Sequence, residues 1–117
     1  MAETEIDLLR SSLDLLILKA LTWGPRHGYA VAEWIEVATD DAFSVEEGTL
    51  YPALHRLQGK GWIESEWGIS DKGKRAKFYR LTAGGRARFR AEAPTWHRHA
   101  QAIAAALRAT SPDVTRA

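Results

Sequence analysis

The chain has 117 residues, enough for one domain with its own core, and its composition of 45% apolar and 26% charged residues is that of a globular protein. It contains no cysteine, which excludes disulfides, thiolate metal sites and cysteine nucleophiles. No apolar run reaches the ~18 residues of a membrane span, and the segment MAETEID is acidic where a signal peptide would be basic, so we expect a cytoplasmic protein with no membrane partner.

The net charge of +1 conceals a strong asymmetry along the chain. Residues 1–51 carry ten acidic and three basic side chains, whereas residues 52–90 carry three acidic and ten basic ones. If this division persists in the folded protein, it creates a basic face that attracts a polyanion. If the two halves interleave in space, the charges cancel instead.

The N-terminal part of the chain predicts a short flexible segment followed by an apolar helix. Residues 1–10 have few side chains that could anchor them. A helix is predicted from Ser11 or Ser12, either of which can cap it, to Gly24-Pro25, where a glycine and a proline end it. This helix is apolar on nearly every side and must be covered on two sides. One cover is its own core, and we expect the other to be a second subunit.

A second helix is predicted from His27-Gly28-Tyr29 to about Thr39. Its first turn offers free backbone N–H groups beside Tyr29 and His27, which could hold a phosphate if the helix belongs to a helix-turn-helix. The alternative is that Tyr29 only packs against its neighbours.

Residues 46–63, EEGTLYPALHRLQGKGWI, predict a third helix followed at once by a strand. Leu50, Leu54 and Leu57 recur at i, i+4 and i+7, so they share one face and should pack on the core. Ser44 and Glu47 have the spacing of a capping box at the start of this helix. The opposite face is polar, aromatic and cationic and has no acid, which favours a helix that enters a DNA groove. That outer face is predicted to consist of Gly48, Thr49, Tyr51, Pro52, His55 and Arg56.

A β-hairpin is predicted after the third helix. Residues 62–67, WIESEW, alternate as a strand, and residues 77–81, KFYRL, form the return strand. A turn containing Asp-Lys-Gly joins them. The cations in and beside this turn are Lys72, Lys74, Arg75 and Lys77. A basic turn alone is often only a solubility feature, but after a recognition helix it has the order of a winged helix.

The last helix is predicted to be capped by Thr82 and to extend to about Ala109, before a disordered tail over residues 110–117. Its apolar residues recur in alternating steps of four and three, which is the heptad spacing of a helix that packs against another helix. The residues of this seam are Phe89, Ala93, Trp96, Ala100, Ile103 and Leu107.

Five motifs, taken together, identify a family. They are LDLLILKAL in the first helix, HGY before the second, GTLYPALHRL in the third, GWI and W-G after it, and KRAKFYRLT on the return strand. With these motifs the chain resembles the PadR family of bacterial transcriptional regulators over about residues 11–108. The resemblance is greatest to short members with a single C-terminal helix, among them a lactococcal multidrug-resistance regulator.

The resemblance implies a mainly α-helical fold with a small β-hairpin. A winged helix-turn-helix would cover residues 11–82, and a long C-terminal dimerisation helix would cover residues 83–109. The family pattern is a homodimer, joined through its first and last helices, that binds a short inverted repeat in double-stranded DNA and represses a nearby promoter. The residues expected at the dimer interface are Leu13, Ile17, Phe89, Trp96, Ile103 and Leu107.

Carried over residue by residue, the family's DNA contacts fall on the third helix and the wing. Together with Tyr29 at the start of the second helix, the predicted DNA-binding residues are Thr49, Tyr51, Pro52, His55, Arg56, Lys72, Lys74, Arg75 and Lys77. In the multidrug-type relatives, a tryptophan of the last helix pairs with its twin across the dimer and sandwiches flat molecules. Trp96 falls at that position beside the small Ala93 and Ala100, which implies a planar hydrophobic effector. The alternative is that Trp96 fills the interface as core.

Other classes of function have less support. His97 and His99 are two apart on a helix and point about 200° from one another, so they cannot share a metal ion. No phosphate loop or nucleophile motif is present, and no cofactor is predicted. A winged helix used for protein contact remains the alternative, and it predicts an apolar, non-basic outer face on the third helix.

Overall fold

The computed structural model describes residues 12–113, in which four helices and three strands follow one another. Helix α1 covers residues 12–20 of this range. The remaining elements are β1 (Arg26–His27), α2 (Gly28–Ala38), α3 (Glu47–Gly59), β2 (Ile63–Ile69), β3 (Arg75–Leu81) and α4 (Ala83–Arg108). The predicted fold class, mainly helical with a small sheet and a long C-terminal helix, is confirmed. The predicted flexible segment 1–10 and the last part of the predicted tail lie outside the described residues.

The core lies where α1, α2, α3 and the sheet meet. Leu50, Leu54 and Leu57 are at most 2% exposed, as their spacing predicts, and they fix one face of α3 against α1 and α2. Burying a leucine or isoleucine side chain stabilises the fold by about 1.5–3 kcal/mol, so this single face anchors the helix. The other large side chains of the core with less than 2% exposure are Ile17, Leu18, Leu21, Val31, Ile35 and Ile63.

The sheet has three antiparallel strands in the order β1-β3-β2, one more than predicted. Strand β1 has two residues, and it pairs Arg26 with Tyr79 and His27 with Phe78. Strands β2 and β3 also extend further toward the turn than predicted, to Ile69 and from Arg75. The resulting hairpin, residues 63–81, forms the wing, and β1 joins it to the start of α2.

Of the caps predicted at the starts of α3 and α4, the structure confirms the second and contradicts the first. The hydroxyl of Thr82 accepts a hydrogen bond from the Gly85 N–H at 3.0 Å, so this residue caps α4 as predicted. The capping box at Ser44 is wrong, because the N-cap of α3 is Glu46, which makes no side-chain cap bond. The segment before α3 is fixed instead by Glu36, whose carboxylate accepts a hydrogen bond from the Val45 N–H at 3.0 Å.

Helix α4 extends far beyond the core. Its 26 residues correspond to about 39 Å of helix, and the molecule measures 60 Å along its longest axis against 27 and 25 Å across. Phe89 packs against the core, whereas most residues from 97 to 108 are exposed. Within residues 12–113, no helix combines the length and apolar character needed to cross a bilayer.

Candidate nucleic-acid interface

Helix α3 presents one exposed face opposite its buried leucines. We call this the recognition face, and it consists of Thr49, Tyr51, Pro52 and His55. The Tyr51 ring also lies against the first turn of α2, since a β-carbon added to Gly28 would be 3.1 Å from the Tyr51 hydroxyl oxygen. Glycine at position 28 therefore allows α2 to approach the recognition face closely.

Arg56 does not lie free on the recognition face. Its guanidinium is directed toward α1, where Nη2 donates to Oδ1 of Asp14 at 2.5 Å, and the two side chains are 28% and 17% exposed. The predicted role of Arg56 as a DNA contact does not fit this arrangement. The residue instead joins the recognition helix to the first helix.

The tip of the wing concentrates positive charge. Gly73, at a φ of +76°, closes the turn in a conformation that glycine adopts easily, and the Ser70 hydroxyl accepts from the Lys74 N–H at 3.2 Å. The four exposed cations here are Lys72, Lys74, Arg75 and Lys77. Among residues 12–113 none of the four forms a salt bridge, so their charge is available to an anion.

A cleft of about 470 Å³ separates the wing from α2 and α3. It brings Tyr29 and Tyr51 together with Arg75 and Lys77, all of which were predicted as DNA contacts. Lys72 and Lys74 line a second hollow of about 500 Å³, which also borders Tyr29 and Arg75. The predicted wing residues and the start of α2 therefore form one continuous surface.

His27 lies at the base of this surface and caps α2. Its Nδ1 accepts a hydrogen bond from the Ala30 N–H at 3.1 Å, so in the neutral ring the proton is on Nε2, which can act as a donor. Tyr79 also lines the cleft, and burial, together with the nearby Tyr51 hydroxyl, raises the pKa of Tyr79. Tyr79 therefore keeps its proton at physiological pH, and the positive charge of this surface comes from the wing.

Trp67 of β2 is a residue of this surface that the sequence did not single out. It lines the cleft and is 58% exposed, although alternation with Ile63 suggests a half-buried face. The guanidinium of Arg75 lies 4.5 Å from its ring centroid. The only sequence signal for Trp67 was its place in the W-G motif, which does not reveal exposure.

Acidic residues border the surface on the other side of Tyr29 and Tyr51. A hollow of about 390 Å³ there is lined by Glu33, Glu36, Glu46 and Glu47. Acidic side chains also reach the wing side, because Glu33 and Asp71 line the hollow that contains Lys72 and Lys74. An approaching polyanion is favoured most at the cleft of Arg75 and Lys77, which no acidic residue within 12–113 lines, and is repelled at the start of α3.

Residues 17–91 match the Transcriptional regulator PadR-like family. The chain belongs to this family. The structure is similar to that of a transcriptional regulator from Clostridium thermocellum, with a TM-score of 0.72 and 32% identity over 83% of this chain and 94% of that one. A PadR family regulator from Clostridium difficile gives a TM-score of 0.68 and 30% identity over 81% and 97% of the two chains. A protein of Lysinibacillus sphaericus is 40% identical over 82 residues, which is 69% of this chain and 74% of its own.

Membership of the PadR-like family makes this chain a transcriptional regulator rather than an enzyme. The match to this family also agrees with the observed winged helix-turn-helix, because residues 17–91 include α2, α3 and the whole wing. No group of three or more histidine, aspartate or glutamate side chains within residues 12–113 could hold a metal ion.

The PadR-like chain has a separate concave surface away from the wing, where α1, α4 and the residues that follow α2 meet. This groove of about 480 Å³ contains Trp96 and Ala93, two of the predicted effector residues, whereas Ala100 lies outside its lining. Its other apolar residues are Leu15, Leu16, Phe43 and Phe89. Trp96 is 43% exposed and therefore presents part of its ring to any molecule in the groove.

The residues predicted for the dimer interface fall into two groups. Leu13 and Ile17 are 5% and 0% exposed within the subunit, so the predicted contact with a partner chain does not fit their burial. They belong to the subunit's own core. Ile103 and Leu107 are 59% and 82% exposed on the projecting half of α4, where a partner can reach them.

Proposed function

We propose that this PadR-like regulator is a cytoplasmic homodimeric repressor that binds an inverted repeat in double-stranded DNA. The observation that carries the proposal is that Tyr51 of the recognition face lies across one cleft from Arg75 and Lys77, which form no salt bridge within residues 12–113. With α3 in the major groove, Tyr51 and His55 can donate to base edges or phosphates, and Thr49 can contact the backbone. The wing cations then contact phosphates, which supplies affinity without sequence specificity.

The composition of the recognition face favours DNA over a protein partner. A winged helix that binds a protein is expected to present an apolar and non-basic surface on α3. Here the exposed residues are a threonine, a tyrosine, a proline and a histidine, with the basic wing beside them. A duplex satisfies both the polar groups of α3 and the charge of the wing.

The projecting half of α4 supports a homodimer. Ile103 and Leu107 recur at i and i+4 on that half, and they are 59% and 82% exposed among the described residues. In a dimer built on this helix, the two α3 helices would enter major grooves about one turn of DNA apart, ~34 Å. An inverted repeat with that spacing would match the symmetry of the protein.

Selection of bound fragments from random duplex DNA tests the proposal directly. Purified protein should enrich an inverted repeat with half-sites about 10 base pairs apart from centre to centre. His55→Ala should weaken binding to this sequence more than to unrelated DNA, whereas the double variant Lys72→Ala/Lys74→Ala should weaken both and reduce the salt slope by about 2. No enrichment, or binding that is unchanged by salt, would overturn the proposal.

A planar hydrophobic effector is proposed for the groove at Trp96. The lining is largely apolar, and an exposed indole offers a stacking surface for a flat molecule. Planar cationic dyes should quench tryptophan fluorescence, and Trp96→Ala should abolish the quenching. Trp23→Ala is the matched control, because Trp23 is 62% exposed and does not line the groove. Equal quenching in the protein and in Trp96→Ala would contradict an effector site there.

A further inference from the structure

We infer that Trp67 contacts DNA directly and forms the apolar wall on which one sugar-phosphate strand rests in the cleft between the wing and α3. The inference depends on the proposed function, since it names the part of the duplex that this cleft takes. Trp67 would add an apolar contact to a surface otherwise dominated by cations and hydroxyl groups.

The exposure of Trp67 is the first support. Its side chain is 58% exposed, and the residues beside it in the cleft, on β3, are Arg75, Ala76, Lys77 and Tyr79. Trp23 is similarly exposed at 62%, but its ring packs against Trp34 with centroids 5.5 Å apart and so has a role inside the subunit. Trp67 instead lies in the basic wing, where a tryptophan of 150–250 Å² covers little of the core.

Two cations hold the Trp67 ring in place. The guanidinium carbon of Arg75 lies 4.5 Å from the ring centroid, and Nζ of Lys77 lies 5.9 Å from it. Lys77 is also the direct cross-strand partner of Trp67 in the β2–β3 pairing. These contacts orient the indole and place positive charge over its ring, which is an arrangement suited to an anionic ligand with apolar parts.

The position of the cleft identifies that ligand. A winged helix inserts α3 in the major groove and places its wing at the minor groove. The DNA strand that separates these two grooves must therefore lie between α3 and the wing. Tyr29 and Tyr51 form one side of this cleft, and Trp67, Arg75 and Lys77 form the other. None of the residues that line it is acidic. A DNA strand alternates charged phosphates with apolar deoxyribose faces, and the cleft offers cations for the former and aromatic rings for the latter.

The base of the cleft adds donors for the phosphate. His27 accepts the Ala30 N–H through Nδ1, which leaves Nε2–H as a donor, and it stands at the N-terminus of α2. Helix N-termini favour anions. The phosphate therefore has partners on the α2 side as well as on the wing, which orients the sugar toward the Trp67 ring.

This arrangement separates two kinds of contribution to affinity. A cation that meets a phosphate releases counterions, so its loss reduces the slope of log K against log salt by about 0.9. An apolar contact with a sugar releases no counterions, so its loss lowers affinity equally at all salt concentrations. Trp67 and Arg75 are adjacent in the structure but should differ in this respect.

The experiment measures dissociation constants by fluorescence anisotropy across a series of salt concentrations, with a duplex selected by the unmodified protein. Trp67→Ala should weaken binding about tenfold at every salt concentration without changing the slope. Trp67→Phe should recover most of this affinity. Arg75→Ala should weaken binding and reduce the slope by about 0.9. Trp23→Ala, the control for removal of an exposed tryptophan, should bind as the unmodified protein does.

The outcomes distinguish the inference from the proposed function. If the unmodified protein selects a duplex and Trp67→Ala binds it equally well, Trp67 makes no contact and only the inference fails. If Trp67→Ala reduces the slope as much as Arg75→Ala does, Trp67 acts through Arg75 and the direct contact is excluded. If no duplex is selected at all, both are overturned. Should Trp67→Ala fail to fold, tryptophan emission is measured with and without DNA in the unmodified protein and in Trp67→Phe. A direct contact predicts that DNA changes the emission less in Trp67→Phe, and an equal change would overturn the inference.

Discussion

Asp14 and Arg56 form an ion pair that is less exposed than any other salt bridge among residues 12–113. Partial burial makes loss of one partner costly, since the other charge is left without compensation. We expect Arg56→Ala and Asp14→Ala each to lower the free energy of unfolding by about 1–2 kcal/mol. The double variant should lose less than the sum of the two, because the second substitution removes a charge that is already unpaired. Denaturant unfolding of the four proteins measures the coupling.

Arg80 provides the control for this pair. Its guanidinium binds Glu64 at 2.8 Å, but the two side chains are 48% and 52% exposed, so Arg80→Ala should change the stability much less than Arg56→Ala does. Additive effects of the Asp14 and Arg56 substitutions would show that the pair has no energetic coupling. If Arg56→Ala reduced the salt slope of DNA binding and Asp14→Ala did not, Arg56 would be a phosphate contact after all.

Tyr79 makes the fold less stable at alkaline pH. Burial raises the pKa of Tyr79 above its ordinary value of 10.0, so the folded state keeps the proton at pH values where the unfolded chain has lost it. The stability from this group is complete below pH 10.0 and is lost as the pH rises from there through the folded-state pKa. Tyr79→Phe should therefore lose less stability between pH 9 and 11 than the unmodified protein, measured by denaturant unfolding. Tyr29→Phe, which removes an exposed hydroxyl, should leave that loss unchanged.

At the scale of single residues, the sequence predicted burial better than it predicted partners. The spacing of Leu50, Leu54 and Leu57 fixes the angular position of every residue of α3, and the exposed face followed correctly from it. The same helical spacing placed Arg56 on the exposed face. It could not reveal that the Arg56 side chain reaches the carboxylate of Asp14, which is 42 positions away in sequence. Alternation likewise assigns Ile63 and Trp67 to one face of β2, but it does not reveal that Ile63 is 1% exposed whereas Trp67 is 58% exposed.

At the scale of elements, the junction between the wing and α4 depends on a close approach at Gly85. A β-carbon at this position would lie 1.9 Å from the carbonyl oxygen of Trp62, which is backbone and has little freedom to move. We expect Gly85→Ala to lower the free energy of unfolding by about 3 kcal/mol or more, because overpacking against rigid atoms strains the fold. Thermal and denaturant unfolding measure this loss.

The neighbouring Gly84 is a matched control in the same helical turn. A β-carbon there would meet its nearest atom, the Thr82 hydroxyl oxygen, at 3.6 Å, which is an ordinary contact. Gly84→Ala should therefore stabilise α4 by about 0.5–1 kcal/mol through the lower backbone entropy of alanine in the unfolded chain. Equal effects at the two positions would contradict the packing seen at Gly85.

The features that could not be predicted from the sequence are those that depend on contacts with residues distant in the chain. Strand β1 is two residues long and has no periodicity of its own, and it exists because Arg26 and His27 pair with β3 across more than 50 positions of sequence. Ser44 and Glu47 have the spacing of a capping box, but the Val45 N–H donates a hydrogen bond to the carboxylate of Glu36, and the N-cap of α3 is Glu46. By contrast, Thr82 was identified correctly because its cap bonds are local.

At the scale of the whole molecule, the proposed homodimer depends on the outer half of α4. Ile103 and Leu107 are 59% and 82% exposed on a helix that projects from a body 27 by 25 Å across. In a symmetric dimer each substitution occurs twice, so a loss of about 1.5 kcal/mol per buried side chain raises the dissociation constant more than about 100-fold. Ile103→Lys and Leu107→Lys should therefore give monomers in sedimentation equilibrium at concentrations where the unmodified protein is a dimer.

The monomeric variants also test how DNA binding depends on assembly. Gln101→Lys adds the same charge at an exposed position outside the heptad seam and should remain dimeric. Loss of the dimer separates the two recognition helices, so binding to an inverted repeat should weaken strongly while binding to a single half-site changes little. Each monomer should keep its own thermal transition, because the core between α1, α2, α3 and the sheet lies within one subunit. If Leu107→Lys stays dimeric and binds the inverted repeat normally, the outer half of α4 does not form the interface, and the partner must be sought at the Trp96 groove.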